Sequence, residues 1–210
     1  LNLRTHIEAS IDLLRSLIPA NIQIETRFRA SRETVLADSV QVDQILMNLF
    51  VNAAQAMEDG GGTIRLDLDN HPFRHDNSTR PDHHLTALPE ATYARIQVSD
   101  TGPGIPPEHI HRIFDPYFTL KEVGKGSGMG LSVVHGIVIS HGGEIFVENL
   151  TGNGARFTIL LPLLESGTGM EGSAPAGPVP HGTENILFID DEASIAGVTE
   201  KLLRMIGYSV

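Results

Sequence analysis

The sequence contains no cysteine among its 210 residues. Neither disulfide bonds nor cysteine-ligated metal sites can therefore stabilise the fold, which fits a reducing compartment. Basic residues are also few, because 15 Lys and Arg stand against 26 Asp and Glu, a net charge of −11. That balance argues against a general binder of nucleic acid or of anionic membranes. No apolar run approaches the ~20 residues of a membrane span, and no signal-peptide pattern opens the chain.

Glycine, in contrast, is concentrated in the stretch DPYFTLKEVGKGSGMGLSVVHG, residues 115–136. Four glycines alternate with other residues there, namely Gly124, Gly126, Gly128 and Gly130. Glycine lets the backbone approach a ligand closely, and a glycine-rich turn that opens into a helix presents unpaired N–H groups that suit phosphate. One such loop is weak evidence of a nucleotide site, and it becomes strong where other polar signatures accompany it.

An amphipathic helix is predicted at the start of the chain, where apolar residues recur at steps of three and four up to Pro19. These residues are Leu3, Ile7, Ile11, Leu14 and Ile18. Two interpretations remain open: the end of a coiled-coil or bundle element that lies upstream, or a helix packed on a core. His6, beside the apolar stripe, is interpreted as a structural or solvated histidine.

The pattern then alternates between strands and helices. Apolar residues at alternate positions predict strands near residues 22–28, 64–68 and 94–98, and residues 144–149 and 155–161 are predicted to form a closing hairpin around the turn at residues 151–154. Between the first two strands, Asp38 is expected to cap a long helix that runs to Met57 and ends at three glycines, residues 60–62. Another helix is predicted after the glycine-rich loop.

A polar segment, residues 71–92, separates the second and third predicted strands and suggests a hairpin with a long insertion. It contains the four histidines His71, His75, His83 and His84. A solvated loop is favoured over a metal site, because no helical i, i+4 frame holds these side chains.

Polar residues that suit a nucleotide occur on the long helix and after the third strand. Gln44, Asn48 and Asn52 are spaced four apart and therefore share one helix face. Their amide oxygens are ligands that Mg²⁺ accepts, although a solvated surface is the simpler reading of that stripe by itself. The sequence Asp100-Thr101-Gly102-Pro103-Gly104-Ile105 follows the strand. A carboxylate there could accept a hydrogen bond from an exocyclic amine such as adenine N6, whereas an ordinary Asp-Gly turn is the alternative.

A third block, Ile113 to Lys121, places aromatic residues before the glycine-rich loop, where they could belong to the core or anchor a movable lid. Other phosphate-binding motifs are excluded. A Walker loop would need glycine at Thr119, and no G-x-G-x-x-G follows a strand.

In this order, the blocks resemble the ATP-binding catalytic domain of sensor histidine kinases, of the gyrase/Hsp90/MutL-like superfamily. The N box resembles residues 44–53, the G1 box residues 100–104, the F box residues 114–121 and the G2 box residues 126–131. The resemblance covers roughly residues 21–164. It implies an α/β fold of the Bergerat type, a two-layer sandwich in which a mixed β-sheet packs against helices, with ATP and Mg²⁺ as cofactors.

Position by position, the resemblance implies that Asn52 coordinates Mg²⁺ and that Asn48 contacts phosphate or the shell of the ion. Asp100 would recognise the adenine amine. The remaining nucleotide contacts would come from Gly102, Gly104, Ile105, Phe114, Lys121, Lys125, Gly126, Ser127, Gly128, Met129, Gly130 and Leu131. Asn48 and Lys121 would be the catalytic residues. Many relatives carry a basic residue where this chain has Gln55, which places more weight on the two lysines.

Asn48 distinguishes among members of the superfamily, since gyrase-, Hsp90- and MutL-type ATPases resemble one another in a glutamate at that position. An amide cannot act as a general base, which favours phosphoryl transfer to a histidine over hydrolysis. In this family the histidine lies on an upstream helical dimerisation domain, and His6 lacks the acceptor context. An ATPase or serine kinase of the superfamily is one alternative, and a nucleotide-sensing interaction module without catalysis is another.

Residues 165–184 are rich in Gly, Pro and Ser and predict a linker. Residues 185–210 resemble the first strand and helix of a receiver domain, with Asp190 and Asp191 as its Mg²⁺-binding pair, as expected in a hybrid kinase of a two-component phosphorelay. We assign residues 1–20 to a helical junction and residues 21–164 to the catalytic domain. The chain is expected to be an excised, cytoplasmic piece of a larger homodimeric kinase that could be membrane-anchored. Its expected partners are the upstream domain, the receiver and a separate response regulator.

Overall fold

The structure, a computed structural model, describes residues 1–58, 60–73, 88–120, 128–151, 154–164, 184–187, 203–204 and 207–209. The chain divides into two compact units, Leu1–Glu165 and Ser166–Val210. Among the described residues, no helix is both long enough and apolar enough to cross a membrane.

A mixed sheet of five strands forms the centre of the first unit. The strands are β1 (Ile22–Phe28), β2 (Gly62–Phe73), β3 (Ala91–Asp100), β4 (Glu144–Asn149) and β5 (Ala155–Pro162). They are ordered β1-β2-β3-β5-β4; β1 and β2 are parallel, and the other pairs are antiparallel. The predicted α/β sandwich with a mixed sheet is confirmed.

Three helices cover one face of this sheet: α1 (Leu3–Arg15), α2 (Ser39–Ala56) and α3 (Gly130–Ser140). A 3₁₀ helix, Pro107–Arg112, follows β3. Alternate strand residues such as Ile64, Ile96 and Ile159 point into a core shared with α2 and α3. The Asp38 side chain accepts hydrogen bonds from the backbone N–H groups of Val40 and Gln41, so the predicted cap of α2 is present.

Helix α1 packs into this core within the first unit. Leu3 and Ile7 are fully buried, and Leu14 is almost so. The Ser10 hydroxyl donates to Asp43 Oδ1 on α2, and His6 Nε2 lies 2.9 Å from the same oxygen. A stripe of apolar residues indicates only that another element covers one face of the helix. In this structure that element is α2, which belongs to the same unit.

The hairpin between β2 and β3 is longer than the sequence indicated. Pairing runs from Ile64 opposite Asp100 to Phe73 opposite Ala91. His71 therefore lies within a strand, where its Nδ1 is 3.3 Å from Arg95 Nη1. Burial lowers the pKa of His71, and Arg95 lowers it further. The other three histidines of the predicted insertion lie outside the described residues.

The outer face of the sheet carries a small apolar cluster of Leu88, Tyr93 and Leu160, flanked by Phe73 and Phe146. Glu144 lies opposite Leu160 on β5, and its side chain is buried beside this cluster. Its Oε2 has no hydrogen-bond partner among the described residues. Burial raises the pKa of Glu144 to about 7. Tyr93 donates its hydroxyl proton to the Pro89 carbonyl, and its pKa is raised by burial and then by Glu144.

We expect the stability of the first unit to fall as the pH rises from 5 to 8, and Glu144→Gln to remove most of this dependence. The folded pKa of Glu144, about 7, lies above its ordinary value of 4.5, so its stabilising effect is complete below 4.5 and is lost through pH 7. The shift in the pKa corresponds to about 3 kcal/mol, and screening by solvent reduces the expected loss of stability to about 2 kcal/mol. Urea unfolding followed by circular dichroism at several pH values measures the free energy of unfolding of the wild type and of Glu144→Gln. Equal pH dependence in both proteins would contradict the assignment.

Little of the second unit is described. Asn185 and Ser209 form an isolated parallel bridge, and the Ile186 amide donates to the Ser209 carbonyl at 2.7 Å. The predicted acidic pair, Asp190 and Asp191, lies outside the described residues.

Candidate nucleotide-binding site

Asp100, the last residue of β3, is a buried carboxylate held by two backbone N–H groups. Its Oδ1 accepts hydrogen bonds from Gly102 N at 2.8 Å and from Ala155 N at 3.3 Å. Burial raises the pKa of Asp100, and the two hydrogen bonds oppose that rise. Both hydrogen bonds end on Oδ1, so the fixed carboxylate presents Oδ2 as an acceptor for a ligand that donates an N–H group.

The loop after Asp100 packs against the C-terminal end of α2. A Cβ atom at Gly102 would lie 3.4 Å from Ala56 Cβ and 3.3 Å from Met57 Cγ. The hydroxyl of Thr101 accepts a hydrogen bond from Thr63 N at 3.0 Å, which ties the loop to the start of β2. A side chain at position 102 would therefore fill the space between Asp100 and the helix.

The start of α3 contacts the same helix two turns earlier. A Cβ atom at Gly130 would lie 2.8 Å from Asn48 Oδ1. The Asn48 amide group donates to the Gln44 carbonyl at 2.9 Å, which turns the amide nitrogen toward its own helix and its oxygen toward α3. Because α3 begins at Gly130, backbone N–H groups of its first turn lie beside this oxygen.

One stripe of α2 therefore connects the two contacts. Asn48, Asn52 and Ala56 follow each other at i+4 spacing on one helix face. Asn48 lies against Gly130, Ala56 lies against Gly102, and the half-buried Asn52 is between them. The two ends of the stripe are about 12 Å apart along the helix axis. This arrangement forms an elongated site, with a carboxylate and a tight loop at one end and a helix N-terminus at the other.

The aromatic block, residues 113–121, contributes Phe114 to the core and places Tyr117 beside Gly128. Phe114 packs against Phe157 of β5, with ring centroids 6.5 Å apart, and against His135 of α3 at 5.5 Å. Tyr117, in contrast, is 77% exposed and has a φ of 66°. Gly128 lies so close that a Cβ atom there would be 2.5 Å from the Tyr117 carbonyl carbon. Phe114 thus belongs to the core, as one of the two interpretations proposed, and the role of the block as a lid anchor stays a prediction.

The sequence matches the family described as histidine kinase-, DNA gyrase B- and HSP90-like ATPase over residues 37–165. The chain belongs to this family. Within the family, it is similar to the sensor kinase CckA of Brucella abortus (strain 2308), with 36% identity over 210 residues that cover 94% of this chain and 21% of CckA. It is also similar to the sensor histidine kinase ZraS of Escherichia coli O157:H7, with 36% identity over 165 residues that cover 77% of this chain and 31% of ZraS.

Among solved structures, the catalytic domain of histidine kinase ThkA matches with a TM-score of 0.56 and 30% identity, covering 78% of this chain and 93% of that domain. The first unit is thus an ATP-binding catalytic domain of the sensor histidine kinase type. The chain spans about a fifth to a third of the length of these curated relatives.

In this histidine kinase-type domain, the structure brings together some of the predicted site residues. Asp100 contacts Gly102, and Asn48 contacts Gly130. Phe114, Leu131 and Ile105 pack against the same core. Lys121, Lys125, Gly126 and Ser127 lie outside the described residues, so their roles stay predictions.

Two features of the domain were not anticipated from the sequence. Ala155 N donates to Asp100, and Asn149 bridges the backbone of Ile105. Both residues lie more than forty positions from the motif that they support, and the only local signal is an asparagine that ends a strand before a turn.

Proposed function

We propose that the chain is the kinase core of a hybrid sensor histidine kinase, which transfers the γ-phosphoryl group of ATP to a histidine of an upstream helical domain. The observation that supports this proposal is the stripe of Asn48, Asn52 and Ala56 on α2. It runs from the buried carboxylate of Asp100 to the N-terminus of α3, which begins at Gly130. That arrangement suits a ligand with an amine at one end and phosphates at the other.

In this proposal the adenine ring lies against Gly102 and Gly104, and its exocyclic amine donates to Asp100. The triphosphate extends along α2 towards α3, where the first turn beginning at Gly130 supplies N–H groups and the positive end of the helix dipole. Lys121 and Lys125 would add positive charge from the lid. A triphosphate placed in this way would sit between donors that neutralise its charge.

The donor set on α2 also fits Mg²⁺. The carboxamide oxygens of Asn48 and Asn52 are hard ligands on one helix face, and Mg²⁺ typically takes few protein oxygens together with substrate phosphates. Asn52 would hold the ion and Asn48 would contact it or its hydration shell. The ion would neutralise charge on the phosphates, and the neutral amides would bind it without adding negative charge.

Asn48 favours transfer over hydrolysis, because a carboxamide cannot take a proton from water. A histidine needs no such base, since its neutral imidazole nitrogen attacks the γ-phosphorus directly. The N–P bond forms as the bond from the γ-phosphorus to the bridging oxygen breaks, and ADP leaves. The chain would therefore hold the nucleotide and present the phosphoryl group, and its partner domain would supply the nucleophile.

The hybrid character rests on the second unit. The parallel bridge between Asn185 and Ser209 supports this proposal, because parallel strand pairing is typical of α/β domains, the class to which receiver domains belong. We propose that Asp190 and Asp191 form the acidic pair of the receiver domain and that the phosphoacceptor aspartate lies outside residues 185–210.

The test is to titrate the chain with Mg·ATP by calorimetry and then to add the helical acceptor domain of the parent kinase with labelled ATP. We expect saturable binding, negligible phosphate release by the chain, and acid-labile label on the acceptor domain. Asn52→Ala, which lacks the proposed ion ligand, should reduce transfer, whereas Gln44→Ala, one turn outside the paired asparagines, should not.

Other outcomes identify the rivals. Steady release of phosphate by the chain would indicate an ATPase, and label on serine a serine kinase. Binding without any labelled product would indicate a nucleotide-sensing module. Absence of binding would overturn the proposal.

A further inference from the structure

We infer that Asn149 is a positioning residue that fixes the glycine loop beside Asp100 and thereby sets the preference for adenine over other bases. The inference rests on the proposed role of Asp100 in binding the adenine amine. Asn149 is the last residue of β4 and lies outside every nucleotide-binding block of the sequence.

The Asn149 carboxamide makes two hydrogen bonds to the backbone of a single residue, Ile105. Its Oδ1 accepts from Ile105 N at 2.8 Å, and its Nδ2 donates to Ile105 O at 2.6 Å. A carboxamide is the smallest side chain that offers a donor and an acceptor in one rigid plane, so it can satisfy both backbone groups at once. The loop is thus held against β4 by a paired contact with a defined orientation.

This contact also shapes the neighbouring glycine. Gly104 has a φ of +80°, a conformation that other L residues rarely adopt. A Cβ atom at Gly104 would lie 2.9 Å from Asn149 Oδ1, so the carboxamide occupies the space where a side chain would stand. The path of the loop from Gly102 to Ile105 therefore depends on an amide supplied from another strand.

Asp100 and the loop are fixed by the same end of the β4–β5 hairpin. Asn149 pairs with Ala155 in the strand register, and Ala155 N donates to Asp100 Oδ1. One residue of this pair therefore orients the carboxylate and the other orients the loop. Asn149 and Ala155 therefore set the position of the loop relative to the Asp100 carboxylate, and neither residue needs to contact the nucleotide.

Releasing the loop should affect base recognition more than phosphate binding. A base is recognised by groups whose separation matters within tenths of an ångström, and a loop that must be ordered on binding lowers affinity. In the proposed site the phosphates would lie at the Gly130 end of α2, whereas Asn149 contacts the loop at the Asp100 end. Loss of the Asn149 contacts should consequently reduce discrimination between adenine and a 6-oxo purine.

The experiment measures binding of ATP and of inosine triphosphate, whose base has an oxygen in place of the amine, to the full 210-residue chain. For Asn149→Ala, we expect ATP affinity to fall about tenfold and the ATP-to-ITP preference to shrink several-fold, given two lost hydrogen bonds. Asn149→Asp keeps the acceptor but places a carboxylate against the Ile105 carbonyl, and should behave similarly. Asn149→Ser retains one hydrogen-bonding group and should recover part of the preference.

Asn70→Ala is the matched control. The Asn70 carboxamide also bridges backbone groups, accepting from Ser31 N at 2.8 Å and donating to Arg32 O at 2.8 Å, but it lies six residues along β2 from Ile64, the partner of Asp100. If both variants lower the melting temperature and only Asn149→Ala changes the ATP-to-ITP ratio, the role is positional. An unchanged ratio in Asn149→Ala would overturn the inference while leaving ATP binding intact. Failure of the wild-type chain to bind ATP would instead overturn the proposed function.

Discussion

Replacing Asp100 by asparagine is expected to lower the affinity of the chain for ATP by about one hundredfold, with little change in stability. The amide oxygen of asparagine can accept from Gly102 N and Ala155 N, as Oδ1 does now. The amide nitrogen would then take the place of Oδ2 and face the adenine amine. The amide nitrogen and the adenine amine are both donors, so the hydrogen bond that Asp100 Oδ2 would accept from the base would be lost.

The same substitution should change which base is preferred. Inosine triphosphate presents an acceptor where ATP presents its amine, so the new amide nitrogen can donate to it. We expect Asp100→Asn to bind inosine triphosphate as well as or better than ATP, measured by calorimetry with both nucleotides. A general collapse of the site cannot produce that reversal, because it would weaken both ligands.

Asp12→Asn provides the matched control, since it removes one negative charge from an exposed position on α1. If both variants lose affinity equally, the effect is one of net charge and Asp100 does not recognise the base. If Asp100→Asn retains wild-type affinity for ATP, the assignment of this end of the site to adenine is wrong.

Local signals in the sequence were sufficient for most of the fold. Alternating apolar residues predicted β1, β2 and β3, the turn at residues 151–154 predicted the β4–β5 hairpin, and Asp38 predicted the start of α2. Strand faces, turns and helix caps are all set by near neighbours in the chain. The four blocks marked the candidate site, since each block is continuous in the chain. These features depend on a few adjacent residues and are therefore visible without a structure.

Contacts between distant segments could not be predicted in the same way. The apolar stripe of α1 was equally compatible with a partner helix in another domain, and it did not predict that Leu3 and Ile7 would be buried in the core of the first unit. Asn149 carries no motif, because its role is defined by Ile105, 44 positions earlier. The burial of Glu144 could not be predicted from its position in a strand, because it results from the apolar cluster around Leu160.

Replacement of Gly154 by alanine is expected to destabilise the first unit by about 3 kcal/mol or more. Gly154 has a φ of +103°, and a Cβ atom there would overlap the Asp100 carbonyl oxygen. Backbone cannot yield as a flexible side chain can, so the β4–β5 turn or the end of β3 would have to move. Either movement would also separate Ala155 N from Asp100 Oδ1, so ATP affinity should fall together with stability.

Gly136→Ala is the appropriate comparison, because Gly136 lies in α3 with nothing within 4 Å of an added Cβ atom. Alanine favours a helix over glycine by about 1 kcal/mol, so this variant should be slightly more stable than the wild type. Urea unfolding followed by circular dichroism measures both changes. The sequence places Gly136 in a predicted helix and Gly154 between two predicted strands, but the close approach of the Asp100 carbonyl to Gly154 is visible only in the structure. A Gly154→Ala protein as stable as the wild type would show that β3 and the β4–β5 turn do not meet at this point, and the carboxylate would then lack the support that fixes it for the nucleotide.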